Sequence, residues 1–292
     1  MSELISTIGR VTTSADQSLF PPIEAVTTDL DFLQGSFTVV DRQSPSVPAT
    51  AVAHLHFAGA VSVAELWFPD EQRYGLLLQL FEPDHGHWST YWIDSRTGRL
   101  DGPLTSTWSD VTAASARWQH DGHVLEFTHT DPVPDHSGGP KIADDFDFLT
   151  GAWHVHHHRL TTPLDPAGEW IDADGRHHGR TYFNGAVSID EISLDTGRRG
   201  LTVRTFDPAE RTWSIYWVSS RDGRLQPPVH GRFEDGVGRF EGVDEVDGQP
   251  IRARFIWSDI SPTTATWRQD FSIDDGATWQ HNWQMQFTRS DA

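Results

Sequence analysis

The sequence contains no cysteine, which excludes disulfides, thiolate metal centres, iron–sulfur clusters and a cysteine nucleophile. Lysine is nearly missing as well. Of 22 basic residues only Lys141 is lysine, which argues against Schiff-base catalysis. Positive charge is scarce against 42 Asp and Glu, and the formal net charge is −20. Residues 1–140 and 141–292 are each acidic, so neither a phosphate backbone nor an anionic membrane surface is an expected partner. No run of 18 apolar residues exists to span a bilayer as a helix. The first 29 residues lack the basic start and apolar stretch of a signal peptide, so a soluble cytoplasmic protein is expected. Also missing are a Gly-x-Ser-x-Gly elbow, a phosphate-binding Gly-rich loop leading into a helix, and a His-Glu-x-x-His pair.

What is present is aromatic. Thirteen Trp and 16 Phe exceed what a plain β core needs, and such side chains line apolar pockets. The 292 residues suggest two domains, and an internal duplication supplies them. Asp29-Leu-Asp-Phe-Leu-Gln-Gly-Ser-Phe37 recurs as Asp145-Phe-Asp-Phe-Leu-Thr-Gly-Ala-Trp153. Phe57-Ala-Gly-Ala-Val-Ser62 recurs as Phe183-Asn-Gly-Ala-Val-Ser188, and Phe81-Glu-Pro83 as Phe206-Asp-Pro208. Trp88-Ser-Thr-Tyr-Trp92 with Gly98-Arg-Leu100 matches Trp213-Ser-Ile-Tyr-Trp217 with Gly223-Arg-Leu225, and Trp108-Ser-Asp110 matches Trp257-Ser-Asp259. The first copy lacks the equivalent of Glu234–Ile256. The expected organisation is an N-terminal extension (1–28), a reduced domain (29–130), a Pro/Gly-rich linker (131–144) and a complete domain (145–292).

Both copies read as all-β. Ile251, Ala253, Phe255 and Trp257 alternate with their neighbours, as do Trp279, His281, Trp283, Met285 and Phe287, the two-residue period of a half-buried strand. Asp-Gly turns punctuate these runs. About ten strands are expected in the second copy and about eight in the first, in two tandem antiparallel barrels.

Each copy opens with Phe-Leu-x-Gly-x-aromatic, which resembles the Gly-x-Trp signature of lipocalin-like (calycin) barrels. The second copy resembles an actinobacterial lipocalin-like family through Asp147-Phe-Leu-Thr-Gly-Ala-Trp153, Trp213-Ser-Ile-Tyr-Trp217, Gly231-Arg-Phe-Glu-Asp-Gly236 and Trp279-x-x-x-Trp283. More distantly, the tandem arrangement is similar to two-barrel, cofactor-free cyclases of natural-product pathways. That resemblance, not residue spacing, implies a cyclase or isomerase acting on a polyketide or terpenoid intermediate.

Polar groups that share a face with the apolar set are the candidate chemistry. Phe57, Gly59, Val61, Val63, Glu65 and Trp67 form one face, and Phe183, Gly185, Val187, Ile189, Glu191 and Ser193 its equivalent. Burial would raise the pKa of Glu65 or Glu191 and make an acid or base near neutrality. The alternative is a structural pair with an Arg on a neighbouring strand, which retention in both copies favours. His281, alternating with Trp279 and Trp283, is a second proton-transfer candidate, and Gln269, between Trp267 and Phe271, could orient a carbonyl. The expected catalytic set is Glu191, His281 and Gln269. The expected substrate lining is Trp213, Trp217, Phe255, Trp257, Trp267, Trp279, Trp283, Met285 and Glu65.

No metal site is expected: His154, His156 and His158 share one outward strand face and cannot close a tetrahedron. Tyr91 and Tyr216 fall opposite in phase to the Trp pairs and belong outside or at a domain contact. No cofactor is expected, and the partner is a hydrophobic small molecule, with a homodimer left open. The alternatives are a carrier or sensor of an apolar ligand, or a haem barrel with His281 as axial ligand.

Overall fold

The computed structural model describes residues 26–43, 47–131, 141–194, 197 and 199–290. Most of the expected N-terminal extension and linker (1–25 and 132–140) lie outside the described residues. Two antiparallel sheets follow one another along the chain. The first contains β1 (Gly35–Asp41), β2 (Ala49–His56), β3 (Val61–Phe68), β4 (Arg73–Glu82), β5 (His87–Asp94), β6 (Leu100–Leu104), β7 (Ser106–Ser109), β8 (Ser115–His120) and β9 (His123–His129). Its spatial order is β6-β5-β4-β3-β2-β1-β9-β8-β7. The edge strands β6 and β7 are consecutive in the chain, with only Thr105 between them, so the sheet curls until its edges meet. The result is a nearly closed barrel of nine strands.

The second sheet contains β10 (Gly151–Leu160), β11 (Trp170–Tyr182), β12 (Val187–Leu194), β13 (Arg199–Asp207), β14 (Thr212–Ser219), β15 (Val229–Glu234), β16 (Val237–Val246), β17 (Gln249–Ser258), β18 (Thr264–Ser272) and β19 (Gln280–Arg289). It is a closed ten-stranded meander, with β10 pairing β19. Closure leaves no free edge to recruit another strand. The stretch the first copy lacks, residues 234–256, comprises β16 and most of β17, whose Trp257, near its end, is matched by Trp108 on β7. Among the described residues no helix is long and apolar enough to cross a membrane.

The repeated motifs have a shared physical basis. Asp29 accepts a hydrogen bond from the Trp88 indole (3.2 Å), and Asp145 accepts the equivalent one from Trp213 (2.9 Å). Each carboxylate thus ties the turn that opens its barrel to the fifth strand of the same copy. The Phe-x-Gly turns are also matched: Phe57 and Ala58, like Phe183 and Asn184, adopt positive φ near +50°.

The two barrels pack through the outer faces of β3–β5 and β12–β14, and a single apolar cluster runs across the seam. Val61, Val63, Leu76, Leu78 and Tyr91 belong to it from the first copy, and Val187, Ile189, Leu201 and Val203 from the second. The contact is reciprocal. A Cβ on Gly98 would lie 1.8 Å from the Phe206 carbonyl oxygen, and one on its counterpart Gly223 would lie 1.9 Å from the Phe81 carbonyl oxygen. Both glycines also have positive φ, +62° and +67°, so a side chain is excluded twice over. Residue i touching j while the equivalent of j touches the equivalent of i is the signature of a two-fold contact.

This packing corrects one expectation. The apolar face carrying Glu65 and Glu191 is the seam, not the lumen. Glu65 accepts the Phe183 amide of the other barrel (2.8 Å). Glu191 pairs with Arg199 on adjacent β13 (2.6 Å) and with His56 of the first barrel (3.5 Å). Tyr91 and Tyr216 do occupy the outer side, as their phase predicts.

Burial pushes the Glu65 carboxyl up to about 7, offset only in part by the Phe183 amide. A folded value above the ordinary 4.5 means that the seam is most stable below about pH 4.5 and weakens as pH rises through 7. Glu65→Gln keeps an acceptor for Phe183 and removes the ionisation. Urea unfolding should show the variant more stable than the parent by about 3 kcal/mol at pH 8 and by under about 1 kcal/mol at pH 5. A difference that does not change with pH would contradict this assignment.

Candidate functional site

The lumina of the two barrels differ. The first is filled by Phe37, Leu66, Leu77, Trp118 and Phe127, all buried. The second holds a cavity of about 300 Å³. One end of that barrel is stopped by Phe146, packed edge-on against Trp213 (4.8 Å) and Phe233 (5.2 Å) and beside Phe240 (5.8 Å). Towards the other end the lining includes Arg159, Pro163, Asp244 and Glu245, which are partly or fully exposed.

Six of the nine expected lining residues border the cavity: Trp217, Phe255, Trp257, Trp267, Trp283 and Met285. Trp267 stands perpendicular to Trp283 at 5.4 Å and tilts against Phe255 at 5.1 Å, giving a wall of ring edges and faces. Trp213 belongs to the aromatic stopper beneath. Trp279 lies outside the lumen, under the Arg254 guanidinium at 4.1 Å, and Glu65 is in the seam.

Of the expected catalytic set, only Gln269 reaches the cavity, where its Nε2 donates to Asn282 Oδ1 (2.9 Å). Glu191 is at the seam. His281 sits on the barrel exterior, 3.3 Å from Asp270 and 5.4 Å from the Trp170 ring. The cause is a β-bulge: Gln269 pairs with Trp283 but the next residue, Asp270, pairs with His281. The extra residue, Asn282, shifts the phase of β19, so Trp279 and His281 face out while Trp283, Met285 and Phe287 face in. An axial role for His281 in a haem barrel therefore does not fit this lumen.

The polar heart of the cavity is a different set. His177 on β11, Asp190 on β12 and Arg204 on β13 are buried side chains that line it. Arg204 Nη1 donates to Asp190, and His177 Nε2 lies 3.5 Å from the same carboxylate. Burial alone would push the Asp190 carboxyl up. The charge of Arg204, aided by His177, outweighs this and holds it well below the usual carboxylate range. The Arg204 guanidinium also lies over the Phe146 ring at 4.9 Å.

A signal for this set exists in the sequence. Matched through the duplication, His177, Asp190, Thr202 and Arg204 correspond to Ala51, Ala64, Leu77 and Gln79. Interior positions that are small, apolar or neutral in one copy become polar or charged in the other. Single-copy alternation cannot reveal this, because it compares a residue only with its own strand.

His154, His156 and His158 do line an outer face, where His156 and His158 meet Asp174 (3.0 Å) and Asp172 (2.9 Å). His157 is buried inward beside Trp283, and burial lowers its imidazole to about 4. Among the described residues Glu82, His85 and His87 have metal-ligand proximity. Arg224 of the second barrel already reaches into that cluster, 3.2 Å from Glu82 and 3.0 Å from His85, and its charge opposes a cation there.

Comparison with known proteins adds little. No family model and no curated protein matches the sequence. Among solved structures, the chain is similar to a protein of unknown function from the DUF3598 family of Nostoc punctiforme. The two share 10% identity, with 92% of this chain and 100% of that one covered, at a TM-score of 0.34. At that score the likeness carries no functional argument.

Removing one partner of the buried pair should be costly, because it strands the other charge. Asp190→Asn is expected to lower stability by about 3–5 kcal/mol in urea unfolding. The double variant Asp190→Ala/Arg204→Gln, which installs the residues of the first copy, should recover more than half of that loss. A double variant no better than the single one would show that the pair is not the source of the cost.

Proposed function

We propose that the second barrel binds a hydrophobic small molecule and acts on it as a cofactor-free cyclase or isomerase. The first barrel then serves as its structural support. The observation that carries this reading is the His177–Asp190 pair set into an aromatic cavity. His177 Nε2 lies 3.5 Å from the carboxylate and Nδ1 has no hydrogen-bond partner among the described residues; in this reading the Nδ1 lone pair takes a proton from an activated carbon. The C–H electron pair stays on the substrate as an enolate, and return of the proton at another atom completes an isomerisation with no oxidant or cofactor. Trp217, Trp267 and Trp283 fold the substrate against this base, and Gln269 orients its polar group. The role first expected of Glu191 and His281 thus passes to His177.

A carrier or sensor is the second reading. It is favoured by the grip of Arg204 on Asp190, which leaves His177 only a long contact to the carboxylate.

Nile red, a neutral apolar dye, should bind with one-to-one stoichiometry. Thr202→Trp, which fills part of the cavity, should weaken binding at least tenfold. Undiminished binding would remove the second barrel as the site. Enzyme and carrier are separated by exchange of the α-protons of 1-tetralone in D2O, followed by NMR. A catalyst accelerates exchange, and His177→Gln slows it about a hundredfold while affinity stays within threefold. Binding without accelerated exchange would instead assign a carrier.

A further inference from the structure

Inside the second barrel the buried polar atoms without a partner among the described residues include both ring nitrogens of His177 and three groups that can only donate. Arg204 Nε and Trp283 Nε1 are buried N–H groups with no acceptor among the described residues, and both side chains line the cavity. Neither group can act as an acceptor, whatever its surroundings. The Gln269–Asn282 amide pair adds a third donor: with Gln269 Nε2 donating to Asn282 Oδ1, the Asn282 Nδ2 group has no partner. Arg204 and Asn282 are each more than nine-tenths buried. Buried donors are rarely left unmet, because stripping their water without replacement is costly.

Charge narrows what can meet them. The Arg204 guanidinium is already neutralised by Asp190. A ligand carboxylate would displace or repel that group, and would enter past Asp244 and Glu245 into a protein of net charge −20. The rest of the lining is largely hydrocarbon and aromatic, with Trp217 and Trp267 both packed around Trp283 at 6.5 and 5.4 Å. What fits is an apolar body bearing oxygen acceptors and no charge.

We infer that the ligand is a neutral, carbonyl-bearing apolar molecule of the cyclic ketone, lactone or quinone class, its oxygens accepting from Arg204 and Trp283 as these side chains turn their shielded N–H groups toward it. This rests on the proposal that the second barrel binds a small molecule, and it adds the chemistry of that molecule. It also fits the proton-transfer reading, since a carbonyl acidifies the adjacent C–H that His177 would attack.

Three matched probes test it by calorimetry: tetralin, 1-tetralone and 1,2,3,4-tetrahydro-1-naphthoate. A carbonyl costs hydration, so without waiting donors the hydrocarbon would bind at least as well. The expected order is 1-tetralone about fivefold or more tighter than tetralin, with the carboxylate weakest. Trp283→Phe keeps the ring and deletes the N–H, and should shrink the ketone preference to about twofold with an unchanged melting temperature. Asp190→Leu/Arg204→Met, monitored by circular dichroism for folding, should do the same. Tetralin equal to or tighter than tetralone overturns the inference, as it would if water already satisfied the donors. A tightest-binding carboxylate also overturns it. Failure of all three probes while Nile red still binds overturns the ligand class and leaves the binding reading standing; failure of Nile red as well ends both.

Discussion

Strands of an isolated small barrel are buried on one face and wetted on the other. In this protein β3 and β4 of the first barrel, and β12 and β13 of the second, are covered on both faces. Their outer sides are as apolar as their inner ones, so each barrel has a surface that only the other can cover. This double burial positions everything else. Adjacent residues of β12 then serve different neighbourhoods: Asp190 faces the lumen and Glu191 the seam. On β13, Arg204 faces the lumen while Val203 lies in the seam. The charged pair of the cavity is thus mounted on strands clamped from behind.

The β character, the duplication and the phase of most interior aromatics were legible from alternation and repeats. The barrel closure was also within reach, since regularly spaced antiparallel strands leave few other ways to hide edges. The seam was not inferred, although a sign of it lay in the run Gly75-Leu-Leu-Leu-Gln-Leu-Phe81, which lacks alternation altogether. Apolarity interrupted only by Gln79 over such a length marks a strand covered on both sides. Without that recognition the apolar face of β3 and β12 is taken for the lumen, and Glu65 and Glu191 are assigned to the wrong compartment.

The candidate site was legible only in its hydrocarbon part. Trp217, Trp267, Trp283 and their neighbours follow from strand phase, but phase fails wherever a strand gains a residue. The bulge at Gln269/Asp270 has no composition signature such as a glycine, so it moved His281 and Trp279 outward unannounced. The polar set of His177, Asp190 and Arg204 was hidden for another reason. On its own strand each is one charged residue among others, and only position-by-position comparison with Ala51, Ala64 and Gln79 shows that the lumina have diverged. A buried ion pair contributes little net stability compared with apolar packing, and its presence in one lumen alone is what the proposed ligand-binding role would account for.

The reciprocal glycine contacts at the seam have a wider implication. A face that matches its own copy through a two-fold axis is what a symmetric pair of separate chains would present to each other. In such a pair every substitution is made in both subunits at once, and a change that opens one interior necessarily opens its twin. Joining the halves on a single backbone lifts that coupling. One half can harden into ballast while the other hollows out and takes on charge, and the mating surface need never be renegotiated.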